Sequence, residues 1–158
     1  MNMRIPIARP CFDEADSKSI LTPLETGWVV QGPKVRAFEE KFARFVDTHD
    51  AVACSSGTSA IHLALSAMNI GEGDEVIVPS FTWVASANAV IYCGGTPVLC
   101  DIDLETFNLD AQALEASISP RTKAVMPVHL FGQAAPMDAI MDLARRHELG
   151  VIEDAACA

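Results

Sequence analysis

Residues Val76–Cys100 read VIVPSFTWVASANAVIYCGGTPVLC, an unbroken run without a formal charge and long enough to cross a bilayer. Pro79, Asn88, the Gly94-Gly95 pair and Pro97 break it into short pieces. The pieces read as a strand ending at Val78, an Ala-rich helix over Thr82–Tyr92 and a strand over Thr96–Asp101, buried in protein rather than in lipid. This strand–helix–strand reading decides the fold, because the same alternation continues on both sides of it.

Upstream, Ala51–Ser55 is expected as a strand and Thr58–Met68 as a helix with Ile61, Leu65 and Met68 on one face. The next strand starts at Glu75. Downstream, Asp110 is placed to cap a helix to Ser117, and Lys123–Val128 reads as a strand. Pro136–His147 reads as a helix with proline in its first turn, an apolar face of Met137, Ile140, Met141 and Ala144, and Arg145 and Arg146 in its last turn. Gly150 follows, and Val151–Asp154 is a final strand. Five short apolar strands therefore alternate with four helices. That pattern predicts βαβ units, a parallel sheet and right-handed crossovers, an α/β fold. Residues 1–34 are expected to be an irregular arm. In it Asp13 caps a short helix through Leu21, Pro23 limits that helix, and a turn-rich loop covers Gly27–Pro33. A helix over Val35–Val46 then opens the main body, residues 35–158.

The 158 residues suit one domain, and a chain of this size buries roughly 70% of its extended surface. With 50% hydrophobic and 20% charged residues, a true core is available. The net charge of −10 repels nucleic-acid phosphates and anionic lipid, so neither nucleic acid nor membrane is expected as a partner. Any phosphate must be held locally, by backbone dipoles. The cysteines, Cys11, Cys54, Cys93, Cys100 and Cys157, form no CxxC pair, and the histidines form no ligand pair, so no metal site is expected. Met1–Pro10 carries Arg4, Arg9 and two prolines and no apolar stretch. A reduced, cytoplasmic protein is the expectation.

A parallel sheet puts the carboxyl ends of its strands on one edge, where open α/β sheets bind ligands. The sequence sends to that edge Ser55-Ser56-Gly57-Thr58-Ser59, Ser80-Phe81-Thr82-Trp83, Asp101 and Asp103, His129, and Glu153 with Asp154. Gly57 permits close backbone approach, and the following helix offers free N–H groups and a dipole to a dianion, with Thr58 and Ser59 adding hydroxyls. Ordinary capping is the alternative. Trp83 reads as a stacking platform for a flat ring or as a core residue. Glu153 and Asp154 face opposite ways along a strand. A half-buried Asp154 calls for a cation (a protonated ring nitrogen, an arginine or a metal) or caps the next helix. His129 either touches a ligand or fastens a loop, and Asp101 and Asp103 are either a cation site or solvated turn acids. Together, an anion cradle, an aromatic platform and an isolated carboxylate match pyridoxal phosphate, which presents a phosphate, a flat ring and a ring nitrogen that must stay protonated.

The segments Gly27–Glu39 (GWVVQGPKVRAFE), Ser55–Ala60 with Gly71–Trp83 (SSGTSA and GEGDEVIVPSFTW), Pro127–Gln133 (PVHLFGQ) and Val151–Ala156 (VIEDAA) resemble the DegT/DnrJ/EryC1/StrS family, pyridoxal-phosphate-dependent sugar aminotransferases. The resemblance runs from about Cys11 to Ala158. It implies the large domain of a fold type I, aspartate-aminotransferase-like transferase, a three-layer sandwich with a mostly parallel sheet, here incomplete. It implies that Gly57, Thr58 and Ser59 hold the cofactor phosphate, that Trp83 stacks on the ring, and that Asp154 pairs with the pyridinium nitrogen. Cys157 stands where relatives often place a Gln or His against the ring hydroxyl, and a thiol is the weaker donor. Gly27 and Trp28 are implied near the sugar substrate. Expected partners are a nucleotide-sugar, an amino-acid donor such as glutamate, and a second copy in a homodimer.

The family's Schiff-base lysine is expected a few tens of residues beyond Asp154. The lysines here are Lys18, Lys34, Lys41 and Lys123, none of them on the rim, so the chain is expected to be an N-terminal fragment, inactive alone. Some relatives carry histidine in place of that lysine and dehydrate sugars. A non-catalytic α/β module is the remaining alternative.

Overall fold

The computed structural model describes residues 9–158; the reading of Met1–Ala8, including Arg4, lies outside them. The chain divides into two compact units, Met1–Ala53 and Cys54–Ala158.

In the first unit, α1 spans Glu14–Thr26. Its start is a reciprocal cap: Asp13 accepts the N–H of Asp16 at 2.9 Å, and Asp16 accepts the N–H of Asp13 at 3.0 Å. The helix does not stop at Leu21 but continues through Pro23. Proline removes one hydrogen bond, the one that would reach the Ser19 carbonyl, and the exposure of Ser19 lowers the cost of losing it. The last turn is fastened by the Thr26 hydroxyl, which donates to Thr22 and Pro23 carbonyls, and Gly27 closes it at φ 73°. The Trp28 indole then folds back, Nε1 donating to the Gln31 carbonyl at 3.2 Å. It lies so close to Gly32 that a β-carbon there would fall 1.9 Å from Nε1. α2, Pro33–Phe45, starts with proline in its first turn, and Glu39 on it accepts the N–H of Ala53 at 2.9 Å.

The second unit contains α3 (Gly57–Ala67), β1 (Glu75–Pro79), α4 (Ala85–Tyr92), β2 (Thr96–Cys100), α5 (Ala111–Ser117), β3 (Thr122–Val125), α6 (Met137–His147) and β4 (Gly150–Val151), with a 3₁₀ turn over Leu130–Gly132. The strands form one parallel sheet in the order β2-β1-β3-β4. The strand expected over Ala51–Ser55 is not among the four strands of this sheet; the segment straddles the division between the two units and carries no strand. β3 and β4 are also shorter than expected. Pro127 has no N–H to donate, which interrupts the ladder. Pairing resumes as a parallel bridge between Val128 and Asp154.

Every residue of β1 is buried, as a central parallel strand requires. Its side chains alternate between two cores. Val76 and Val78 join Ala124 and Met126 against Ile61 and Leu65 of α3 and Ala89 and Val90 of α4. Ile77 joins Val125 and Cys100 against Leu114 of α5 and Ile140 and Leu143 of α6. The result is a three-layer α/β/α sandwich, as the family resemblance implies, around the parallel sheet that the sequence pattern predicts.

Candidate functional site

Asp154 follows β4 and is clamped by its backbone. Its N–H donates to the Pro127 carbonyl at 2.9 Å, and its carbonyl accepts the N–H of His129 at 3.1 Å. The side chain is buried. Oδ2 accepts the hydroxyl of Ser86 at 2.9 Å, and Oδ1 accepts the N–H of Ala156 at 3.1 Å. Ser86 is the second residue of α4 and is itself fully buried. An ionised carboxylate offers about four acceptor sites. Among the described residues no lysine, arginine or histidine forms an ion pair with it. A fixed, buried carboxylate with capacity to spare could hold a cation or a protonated ring nitrogen.

Glu153 turns the other way and meets His129, whose Nε2 lies 2.8 Å from Oε2. Nδ1 of the same ring accepts the N–H of Ala135 at 3.1 Å, so the ring carries its proton on Nε2 and donates it to Glu153. Of its two expected uses, His129 is engaged in the second: it fastens the loop after β3.

At the start of α3, Ser56 Oγ accepts the N–H of Ser59 at 3.1 Å, and the hydroxyls of Ser55 and Ser56 lie 3.4 and 3.0 Å from that of Ser59. Gly57 is exposed, and a β-carbon on it would meet nothing within 4 Å. The first-turn N–H groups of Gly57 and Thr58 have no intrahelical acceptor. α3 leads into the amino end of β1, so it begins at the opposite edge, where the strands have their carboxyl ends; α4, which packs on it, begins there too. One edge therefore carries both the helix N-terminus and the Ser86–Asp154 pair.

Trp83 precedes α4 rather than lying inside it, three residues before Ser86, whose N–H donates to its carbonyl at 3.3 Å. It is 77% exposed, beside the N-terminus of α4. Cys157 is exposed, and its carbonyl accepts the N–H of Gly132 at 3.0 Å. Gly27 and Trp28 lie in the first unit, where Trp28, Thr26, Val30 and Pro33 help line a cavity of about 220 Å³. Asp103 serves its own turn: it accepts the N–H and hydroxyl of Thr106 at 2.8 and 3.0 Å and the N–H of Glu105 at 3.0 Å. These bonds, Thr106's foremost, hold its carboxyl below the ordinary range. Asp101 accepts the N–H of Ile102 at 2.8 Å. Sequence reasoning missed Ser86, a small hydroxyl in an Ala-rich helix, for which a lone hydroxyl between two alanines was the available signal.

The model of the DegT/DnrJ/EryC1/StrS aminotransferase family matches residues 10–158. The chain belongs to that family. It is similar to the GDP-perosamine synthase of Caulobacter vibrioides, 56% identical over 154 residues, which are 97% of this chain and 42% of the relative. Among solved structures it is similar to DesV of S. venezuelae in complex with a ketimine intermediate, with a TM-score of 0.86 and 45% identity over 89% of this chain and 38% of the other. It is similar also to NtdA of Bacillus subtilis with bound cofactor PMP, with a TM-score of 0.85 and 38% identity over 90% and 34%. The chain thus spans about two fifths of the curated relative's length.

Proposed function

We propose that this chain is the N-terminal part of the cofactor domain of a pyridoxal-phosphate-dependent aminotransferase that moves an amino group from glutamate to a nucleotide-linked keto-sugar. The observation that carries the reading is the Asp154 carboxylate, buried, oriented by Ser86 and the N–H of Ala156, and without an ionic partner among the described residues. The kinship with an enzyme named for GDP-perosamine supports the sugar and the nucleotide.

The residues present fit the cofactor. A dianionic phosphate suits the open N-terminus of α3, where Gly57 leaves room and Thr58 and Ser59 add donors. Trp83 offers an exposed aromatic face to a planar ring, and Cys157 lies three residues past Asp154 as a weak donor for the ring hydroxyl. When bound, the cofactor draws electrons from the carbon that carries the amine, provided its ring nitrogen is protonated. Asp154 holds that proton in place, because removing it would leave a buried anion unpaired. Ser86 keeps the carboxylate aimed, and the clamp of Asp154 to Pro127 and His129 keeps the strand end from shifting. Proton movement at the substrate carbon falls to a lysine outside these residues. In this reading residues 1–34 form the arm and substrate-side loop, with Gly27 and Trp28 on the sugar side. Residues 35–158 form part of the cofactor domain, and the whole enzyme is a cytoplasmic homodimer.

Full-length protein mixed with pyridoxal phosphate should develop a bound-cofactor absorbance, and borohydride should fix the cofactor to a lysine. Binding without fixation would turn the reading to a sugar dehydratase of the same family. No binding at all would turn it to a non-catalytic module.

A further inference from the structure

Five described non-glycine residues have positive φ. Asp47, Asn69 and Glu148 follow helix ends, where a left-handed residue is an ordinary terminator. Phe107 and Phe131, at φ 60° and 55°, do not. A bulky side chain is strained in that region, where glycine or asparagine would adopt it more cheaply. Both phenylalanines lie in loops at the carboxyl edge, after β2 and after β3.

One side chain holds the two loops together. Asn108 is 1% exposed. Its Nδ2 donates to the carbonyls of Gln133 and Ala134 at 3.2 and 3.3 Å, and its Oδ1 accepts the N–H of Leu130 at 3.1 Å. His129 grips the same loop through the N–H of Ala135, and Gly132 binds the carbonyl of Cys157. The loop is pinned from three directions, yet the ring it presents is 75% exposed. Phe107 packs on Phe81 with centroids 5.6 Å apart, both rings part-exposed. A left-handed backbone, buried hydrogen bonds and an exposed aromatic ring thus meet in one loop, and the ring is one residue from the backbone bond between Gly132 and Cys157.

We propose that Phe131 is a specificity-determining residue whose ring receives the apolar C–H face of the substrate's sugar, and that Asn108 is the positioning residue that holds it there. The proposal rests on the sugar aminotransferase reading above. Leu130, Gly132, Gln133, Ala134 and Ala135 each have a backbone polar group engaged within the protein, which fixes the loop while the Phe131 ring stays open to contact through its face. Its tie to Cys157, three residues past Asp154, is the reason for assigning the ring to the sugar rather than to the nucleotide.

The test compares wild-type, Phe131→Gly and Asn108→Ser forms of the full-length holoenzyme, titrated with GDP-perosamine and separately with GDP. Glycine removes the ring and also relieves the backbone. The expected result is about tenfold weaker binding of GDP-perosamine by Phe131→Gly, unchanged binding of GDP, and a melting temperature equal to or above wild type. Asn108→Ser should show the same selective loss with the ring still present. If Phe131→Gly binds GDP-perosamine as wild type does, loses both ligands equally, or melts lower, the assignment fails while the aminotransferase reading stands. If wild type binds neither pyridoxal phosphate nor GDP-perosamine, both fall.

Discussion

At the scale of single residues, the site depends on one carboxylate and the hydroxyl that aims it. Asp154 accepts from Ser86 and from the N–H of Ala156, and in the proposed enzyme its charge keeps a ring nitrogen protonated. Asp154→Asn keeps the shape and removes the charge. In the full-length enzyme it should lower turnover by on the order of 10²-fold, with a much smaller change in cofactor affinity, because the phosphate is held elsewhere. Stopped-flow turnover beside a fluorescence titration with pyridoxal phosphate separates the two effects, and equal activity would remove Asp154 from the mechanism. Ser86→Ala leaves the charge but frees its direction. A hydrogen bond to a charged group contributes about 1.5–3 kcal/mol, so kcat should fall about tenfold or more while KM for the sugar changes little.

Among the elements, α3 carries a prediction that separates folding from binding. Gly57 lies at the first helical position with no neighbour near a would-be β-carbon, and its φ is not positive. Gly57→Ala should therefore leave the protein without cofactor as stable as wild type or about 0.4–1 kcal/mol more stable in urea unfolding. It should nevertheless weaken pyridoxal phosphate binding, since a methyl group occupies the space a phosphate needs. A variant that binds as tightly as wild type would show that the cradle lies elsewhere. The sequence made α3 and its cap legible because hydroxyls before an apolar helical stripe have few other meanings. It made β1 legible because a central parallel strand is apolar on both faces. Ala51–Ser55 is also a short, largely apolar run, but composition does not say which such run joins the sheet. Pro23 predicted an early end to α1, whereas the helix runs on to Thr26, one hydrogen bond lost at an exposed residue being a small cost. Ser86 lies 68 positions from Asp154, and Asn108 is 25 from Gln133. A lone polar residue shows no sign in the sequence of the distant partner that gives it meaning.

Across the whole second unit, the two edges of the sheet do different work. The carboxyl edge leaves Asp154 without an ionic partner among the described residues, whereas the amino edge gives a buried acid every partner it needs. Lys123, the one lysine of this unit, is the second residue of β3 and so stands near the amino edge, far along the strand from His129. The 158-residue chain alone should therefore transfer no amino group, and turnover by the pure chain in a coupled glutamate assay would refute this. At the amino edge, Glu75 begins β1 and binds the Ser119 hydroxyl and, at 2.9 Å, Nε of Arg121, whose own carbonyl accepts the Glu75 N–H. The Ser119 bond, then Arg121, hold the Glu75 carboxyl below its ordinary 4.5. A lowered folded-state value means that the unfolded chain takes up this proton first as pH falls. The stabilisation is complete above about 4.5 and is lost as pH drops through that value toward the folded-state one. Glu75→Gln should thus destabilise the protein at pH about 7 and progressively less below the ordinary carboxylate range, the two forms converging in urea midpoints as pH falls through the lowered folded-state value. Its binding of pyridoxal phosphate should match wild type once both are folded, because Glu75 stands at the other end of β1 from the edge where the ligand would sit. A gap between the two forms that persists in acid would mean that Glu75 stabilises the fold by shape rather than by charge.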